Sequence, residues 1–374
     1  MNRHLAKLGD LVRIHTGKLD ANASAPEGQY PFFICAKEPL RISTHSYDCE
    51  CVLVAGNGDL NAKYYNGKFD AYQRTYILES LNNKVLDVRY LYHFMDTYLE
   101  QLRHMSIGGV IKYIKLGNLT EAKLPVPTLS EQRRIAAILD QADALRAKRR
   151  EALAQLDSLA QSIFVEMFGD PAINPQHWPW KPLGSIASKF SDGPFGSNLK
   201  SEHYVDVGVR VVRLQSIGVS EFVDKDKAYI SERHFESIKK HECRPGDVLV
   251  GTMGDPNLRA CVLPDSIPLA INKADCVQIR VDPRIANSSF ICSLLNHPST
   301  ELLAQDLKHD QTRVRISMGS LRGLEVPIPP VSLQNEFASC LDNVRELRTW
   351  HLGSLTELDA LFASLQHRAF RGEL

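Results

Sequence analysis

Hydrophobic positions follow two kinds of pattern along the chain, and the two kinds alternate. Short apolar runs at 52–55, 75–78, 209–214, 248–250 and 276–281 are bounded by Gly, Asn, Asp or Pro, which predicts strands and turns. Residues 88–103 and 287–305 carry helical patterns. Two longer stretches place residues on one face at three- and four-residue steps. The first runs Ile135, Ile138, Ala142, Leu145, Arg149, Ala152, Leu156, Leu159 and Ile163; the second Phe337, Cys340, Val344, Leu347, His351, Ser354, Leu358, Leu361 and Leu365. Such spacing predicts two long helices that bury each other as an antiparallel coiled coil. Pro-x-Pro segments at 125–127 and 327–330 precede them and mark the exits from two globular parts. Ser130 is placed to cap the first helix.

The alternation is a duplication. Residues 114–168 align with 316–370 at a constant offset of 202, without a gap and with 18 of 55 positions identical. Chance would give about four. The identities include Gly117/Gly319, Pro125/Pro327, Pro127/Pro329, Gln132/Gln334, Leu139-Asp140/Leu341-Asp342 and Leu156-Asp157/Leu358-Asp359. Convergence on a heptad matches leucines, but not the prolines and glycines before them. Upstream, Val52–Asp59 matches Val248–Asp255, with segments of unequal length between these anchors. The expected fold is α+β: two β-rich domains at 1–128 and 171–330, each followed by a long helix, at 129–170 and 331–374, with pseudo-two-fold symmetry. Arg149 and His351 are equivalent and interrupt both seams near their midpoints. A polar layer there sets the helix register, or both side chains snorkel from a loosely packed waist; the sequence leaves both open.

Composition narrows the class. At 374 residues, with 44% hydrophobic and 24% charged positions, the chain reads as ordinary globular protein, and no run approaches the roughly 20 apolar residues of a membrane span. The opening Met1-Asn2-Arg3-His4 leads into an amphipathic segment, so no secretory leader is expected. Eight cysteines form no CxxC pair and no zinc spacing, so reduced thiols of a cytoplasmic protein are expected and no metal. Lys+Arg and Asp+Glu stand at 44 each. Such balance disfavours a chain that grips nucleic acid alone by neutralising phosphates.

The run Leu124-Pro125-Val126-Pro127-Thr128-Leu129-Ser130-Glu131-Gln132-Arg133-Arg134-Ile135 followed by Leu139-Asp140 resembles the conserved region of type I restriction-modification specificity subunits. So does its second copy, Val326-Pro327-Ile328-Pro329-Pro330 with Gln334 and Leu341-Asp342. Gly193–Lys200 and Val211–Gly218 are similar to the opening of that family's recognition domains. The resemblance implies a non-catalytic subunit whose two target-recognition domains each read half of a bipartite, asymmetric site on double-stranded DNA. A spacer helix of about 38 residues, roughly 57 Å, would separate them. It also implies two methyltransferase subunits docked on the helices, with restriction subunits beside them. S-adenosylmethionine, ATP and Mg would then sit on those partners, with no cofactor on this chain. The second copy departs from the first: Leu333 replaces Glu131, and Asn335-Glu336 replaces Arg133-Arg134.

Base readout needs directional donors and acceptors on loops that reach a groove. In the first domain the candidates are Asn61, Lys63, Tyr64, Tyr65, Gln73 and Arg74, around an expected tight turn at Asn66-Gly67. In the second they are Ser197, Asn198, Lys200, Arg213, Gln215, Asn272, Lys273, Gln311 and Arg313. Enzyme readings find little support. There is no Walker A loop and no adenine-methyltransferase tetrapeptide, Asp255-Pro256-Asn257 being only an echo of one. A nuclease cluster from Asp265, Asp306 and Lys308 occurs once and is not repeated. An assembly scaffold, or the specificity module of another DNA-modification or phage-defence system, is the alternative; a scaffold gives no reason for duplicated frames with divergent loops.

Overall fold

The computed structural model describes residues 5–254, 258–309 and 315–374, with the side chains of 306, 308 and 309 left aside. Its contacts divide the chain into two compact units, Met1–Glu151 with Leu352–Leu374, and Ala152–His351. That grouping differs from a domain–helix–domain–helix division, because each long helix gives one half to each unit. The helices run Leu129–Phe168 and Val331–Arg371. No helix among the described residues is long and apolar enough to cross a membrane.

The first unit contains β1 (Leu5–Lys7), β2 (Val12–Thr16), β3 (Tyr30–Phe33), β4 (Leu40–Ile42), β5 (Tyr47–Ala55), β6 (Ala62–Ala71), β7 (Thr75–Ser80) and β8 (Lys123–Pro125). Six of these form one sheet in the order β2-β7-β5-β6-β3-β4. The second unit contains β9 (Trp180–Pro182), β10 (Ala187–Ser191), β11 (Tyr204–Val205), β12 (Val209–Val212), β13 (Tyr229–Ile230), β14 (Glu242–Cys243), β15 (Val248–Gly251), β16 (Ala260–Val262), β17 (Ala270–Asn272), β18 (Cys276–Val281), β19 (Lys308–His309), β20 (Arg315–Ile316) and β21 (Glu325–Pro327). Its four-stranded sheet, β10-β18-β15-β16, repeats the β2-β7-β5-β6 order of the first.

The matched octapeptides are the central strands β5 and β15, and alternation along them builds two cores in each unit. Val52 and Val54 face the helix Val88–Met105 with Leu91 and Met95, while Cys51 and Leu53 pack on the opposite face with Phe33 and Phe69. Val248 and Val250 likewise face Phe290 and Leu294, and Leu249 packs with Cys261 and Cys276 behind. Burial on both faces explains why these strands read as unbroken apolar runs.

Beyond this shared frame the units diverge. The first adds β3 in parallel to β6; the second builds a separate sheet, β11-β13-β12-β17-β14. Two sequence expectations are corrected here. Asn66-Gly67 is no turn, since β6 runs straight through it with Asn66 opposite Glu50 and Gly67 opposite Cys49. The helix expected over 287–305 is two helices, Ser288–Asn296 and Pro298–Leu303, because Pro298 holds His297 extended and starts a new first turn.

Each long helix is fastened to its unit by the same device. Gln132, fully buried, accepts a hydrogen bond from the Asp87 backbone N–H (2.9 Å) and donates to the carbonyls of Val85 (2.8 Å) and Pro127 (2.9 Å). Gln334 accepts from the Asn287 N–H (2.9 Å) and donates to Ile285 (3.2 Å) and Pro329 (2.7 Å). Asp87 and Asn287 are themselves the N-caps of the sheet-packing helices. Pro125 in β8 pairs with Leu5, and Pro327 in β21 with Trp180, so the chain's exit also closes on its entrance.

Helix pairing is antiparallel within each unit. In the first, Arg146 Nε lies 2.6 Å from Asp359 Oδ1; in the second, Arg348 Nε lies 3.0 Å from Asp157 Oδ1. Arg146 and Arg348 are equivalent at the 202 offset, as are Asp157 and Asp359, so each ion pair is the repeat of the other. The expected apolar seam is sealed only towards the helix ends. Ile135, Ala142, Phe337 and Val344 are buried, Leu139 and Leu341 take the buried places expected of Ile138 and the exposed Cys340, and Leu145, Leu159, Leu347 and Leu361 stand 41–51% exposed. Their neighbours Arg146 and Arg348 take part of the seam for the ion pairs. Replacing Gln132 or Gln334 with Ala strands one buried N–H and two carbonyls; a loss of about 2–4 kcal/mol in denaturant unfolding of the full chain is expected for either variant.

Candidate nucleic-acid interface

One end of each central strand carries a loop frame that the two units share in backbone and not in side chain. After β5 the Gly56 N–H donates to the Arg74 carbonyl (2.8 Å), and the Ile114 N–H donates to Gly56 (2.9 Å). After β15 the Thr252 N–H donates to Asp275 (3.1 Å), and Ile316 donates to Thr252 (3.0 Å). A Cβ at Gly56 would sit 2.3 Å from the Arg74 oxygen, so the first frame closes only over glycine. Next along, Asn57 bridges Tyr113 and Met253 bridges Arg315. Tyr113 closes a hairpin on Ile107, and Arg315 closes its equivalent on His309.

The same backbone positions therefore present Arg74 in one unit and Asp275 in the other, Asn57 against Met253, and Tyr113 against Arg315. Arg74 is exposed beside Gln73, whose amide donates to Asp20 (2.7 Å). Arg315 lies 2.9 Å from Asp275 and its guanidinium sits 5.7 Å from the centre of the Phe195 ring. Deeper in the second unit, Tyr204 has the Arg213 guanidinium and the Lys273 ammonium near its ring, at 5.8 and 5.7 Å, and Arg213 is paired with Asp226. The Tyr204 hydroxyl, Arg213 Nε and Asp226 Oδ2 are buried without a hydrogen-bond partner among the described residues. Unpaired buried polar atoms are costly, and this group holds both donors, Arg213 Nε and the Tyr204 hydroxyl, and an acceptor, Asp226 Oδ2.

Several candidate readers have other roles. Asn61 is buried and donates to the Cys35 and Asp59 carbonyls, both at 2.8 Å, while accepting from Lys63, whose ammonium burial pushes below its usual pKa. Tyr64 donates to Glu50 (2.8 Å) under the Arg89 guanidinium, and Tyr65 packs on Phe33 and Phe69. Asn272 is fully buried and donates to Cys276 (2.7 Å) and Ser191 (3.3 Å) carbonyls. Ser197, Asn198, Lys200 and Gln215 are exposed, with the Asn198 carbonyl 2.9 Å from His234 Nε2 and Lys200 3.6 Å from Glu202. Gln311 and Arg313 lie outside the described residues, as do the side chains of Asp306 and Lys308. Among the described residues no cluster of His, Cys, Asp and Glu suits a metal ion. Arg149 and His351 are half-buried at mid-helix, one in each unit.

Sequence reasoning missed Asn57, Tyr113, Asp275 and Arg315. The signal was present for three of them: Asn57 and Met253 occupy one column of the matched octapeptides, and Tyr113 and Arg315 immediately precede the gapless alignment.

Residues 4–155 match the family model described as the type I restriction modification DNA specificity domain. The chain is 38% identical to the specificity subunit of the type I restriction enzyme EcoDI from Escherichia coli, over 98% of this chain and 88% of that protein. Its fold is similar to the type I restriction-modification S subunit from M. genitalium, with a TM-score of 0.65 at 16% identity, covering 99% of this chain and 96% of that one. A chain from a structural study of assembly and conformational transition in the type I R-M system gives 0.59 at 18% identity, covering 100% and 98%. The split between structural and edge residues is testable by unfolding. Asn272→Ala is expected to cost about 1–3 kcal/mol, and Arg74→Ala less than about 0.5 kcal/mol.

Proposed function

Because this chain belongs to the type I restriction-modification specificity-subunit family, we propose that it reads DNA sequence through the loop frame of each unit, performing no reaction itself. The observation that carries this reading is the shared backbone frame presenting unlike side chains. An arginine at a loop edge matches the O6 and N7 acceptors of guanine, and a carboxylate matches the N4 donor of cytosine. Two copies of one frame with different edge chemistry suit two different half-sites. A uniform scaffold would have no use for that difference.

The balanced charge of 44 against 44 leaves phosphate neutralisation to partners. The proposed partners are two methyltransferase subunits, with motor-nuclease subunits added for restriction; S-adenosylmethionine, ATP and Mg belong to them. Leu145 and Leu361 flank the ion pair of the first unit, and their repeat equivalents Leu347 and Leu159 flank that of the second. Each unit thus offers one matching apolar patch, which fits two copies of one partner. A paired Leu145→Ser/Leu361→Ser variant is expected to lower methyltransferase stoichiometry from two copies to one in native mass spectrometry.

Mapping N6-methyladenine in cells with and without the gene tests the function directly. A bipartite motif is expected that disappears on deletion. Arg74→Ala relaxes one half of it and Arg315→Ala the other, each by about 1–3 kcal/mol of discrimination in competition binding. Intrinsic methylation or cleavage by the isolated chain would overturn the reading, and so would retention of the motif without the gene.

A further inference from the structure

Beside the first unit's loop frame stands a hairpin whose chemistry the readout described above does not use. Its stem is tied twice to itself, Ile107 N–H to Tyr113 carbonyl (3.0 Å) and Tyr113 N–H to Ile107 carbonyl (2.8 Å). It is tied twice more to the frame, with the Gly58 N–H donating to Lys112 (2.9 Å) and the Ile114 N–H to Gly56. Gly108 turns the chain at φ +122, a conformation open to glycine, with a would-be Cβ 2.4 Å from the Ile111 carbonyl. The tip that follows is Val110-Ile111, with relative exposures of 104% and 63%. Two adjacent β-branched apolar side chains, held out by a braced stem, make no use of their surface within this chain.

The surroundings point to the occupant. From Ser106 to Thr120 there is no carboxylate, and the exposed Lys112 and Lys115 follow the tip. The stem bridges Asn57, so the tip continues the edge that carries Arg74. An apolar point with cations next to it and no acid nearby is the chemistry of side chains that push between stacked base pairs while lysines hold the neighbouring phosphates. At the equivalent positions the second copy has Thr312 and Arg313, neither of them an apolar wedge.

We propose that Val110-Ile111 is a wedge that enters a base step of the half-site read by the first unit, opening the stack there and not in the other half. The proposal rests on the DNA-reading function above. A wedge contributes by desolvating apolar surface, whereas a phosphate-binding lysine contributes by releasing counterions, so the two respond differently to salt.

The test uses the full chain assembled with its methyltransferase subunits and duplexes carrying the mapped motif. 2-Aminopurine is placed at a base step away from the methylated adenine, which a methyltransferase turns out of the stack in either half, in the half that responds to Arg74→Ala or in the other half. Wild-type complex is expected to raise fluorescence in the first half only. Val110→Ser/Ile111→Ser is expected to abolish that rise and weaken binding about tenfold or more, with an unchanged slope of log K against log salt. Lys112→Ala is expected to reduce that slope by about one. Because the substituted side chains are exposed, thermal unfolding of the double variant should match wild type. Motif binding and fluorescence identical to wild type would overturn the wedge while leaving DNA reading intact. Loss of methyltransferase subunits from the double variant would show a protein-docking surface instead, and also overturn it. Wild-type complex without any motif preference would overturn the function itself.

Discussion

Everything variable in this molecule depends on one buried amide per unit. Gln132 and Gln334 each sit in the first turn of a long helix and bind three backbone groups from two other segments. An amide suits the position because it accepts on one atom and donates twice from the other. A carboxylate would face two carbonyls with no proton to give. An apolar residue would leave all three groups unpaired at a cost the small net stability of a domain does not tolerate. The clasp fixes the helix start, the capped helix beneath the sheet and the proline exit as one body. Loops at the far end of the central strand then change without moving the frame that positions them.

That separation accounts for the electrostatics of the two edges. Arg74 is an exposed cation, whereas the equivalent position in the second unit is an acid already engaged with Arg315. The second edge is therefore nearer to neutral and more preorganised, with Phe195 against the same guanidinium. The first edge presents an exposed cation, with the exposed apolar tip on the adjoining hairpin.

The duplication, the α+β class, the coiled-coil pairing and both proline exits were legible in the sequence, because prolines, glycines and long apolar periods act locally. Failures came where a residue's partner is distant in sequence. Asn66-Gly67 has turn chemistry, but β5 supplies a full ladder of hydrogen bonds opposite it, and pairing overrides propensity. Asn61 and Asn272 carry groups suited to bases, but the Cys35 and Ser191 carbonyls, far off in sequence, accept from their buried amide nitrogens. An amide's composition does not say whether its acceptor is a base or a backbone. Tyr113 and Arg315 are hidden for a different reason: they share a backbone position and no chemistry, so side-chain likeness between the copies does not single them out.

The helix pair makes the same point from the opposite side. Arg146, Asp157, Arg348 and Asp359 are alike in both copies because each ion pair takes one residue from each repeat. In an antiparallel pair of equal helices, a contact from position i to position j implies its mirror from j to i, so a single Arg and a single Asp per repeat suffice for two bridges. Both carboxylates and Arg348 are substantially exposed, Arg146 less so, and such pairs contribute little to stability, roughly 0–1 kcal/mol each. What they specify is register: a shift by one residue would bring each guanidinium against apolar positions and leave each carboxylate alone. The identity of the two copies therefore concentrates where the repeats must recognise each other, and their divergence in the loops that the shared frame carries.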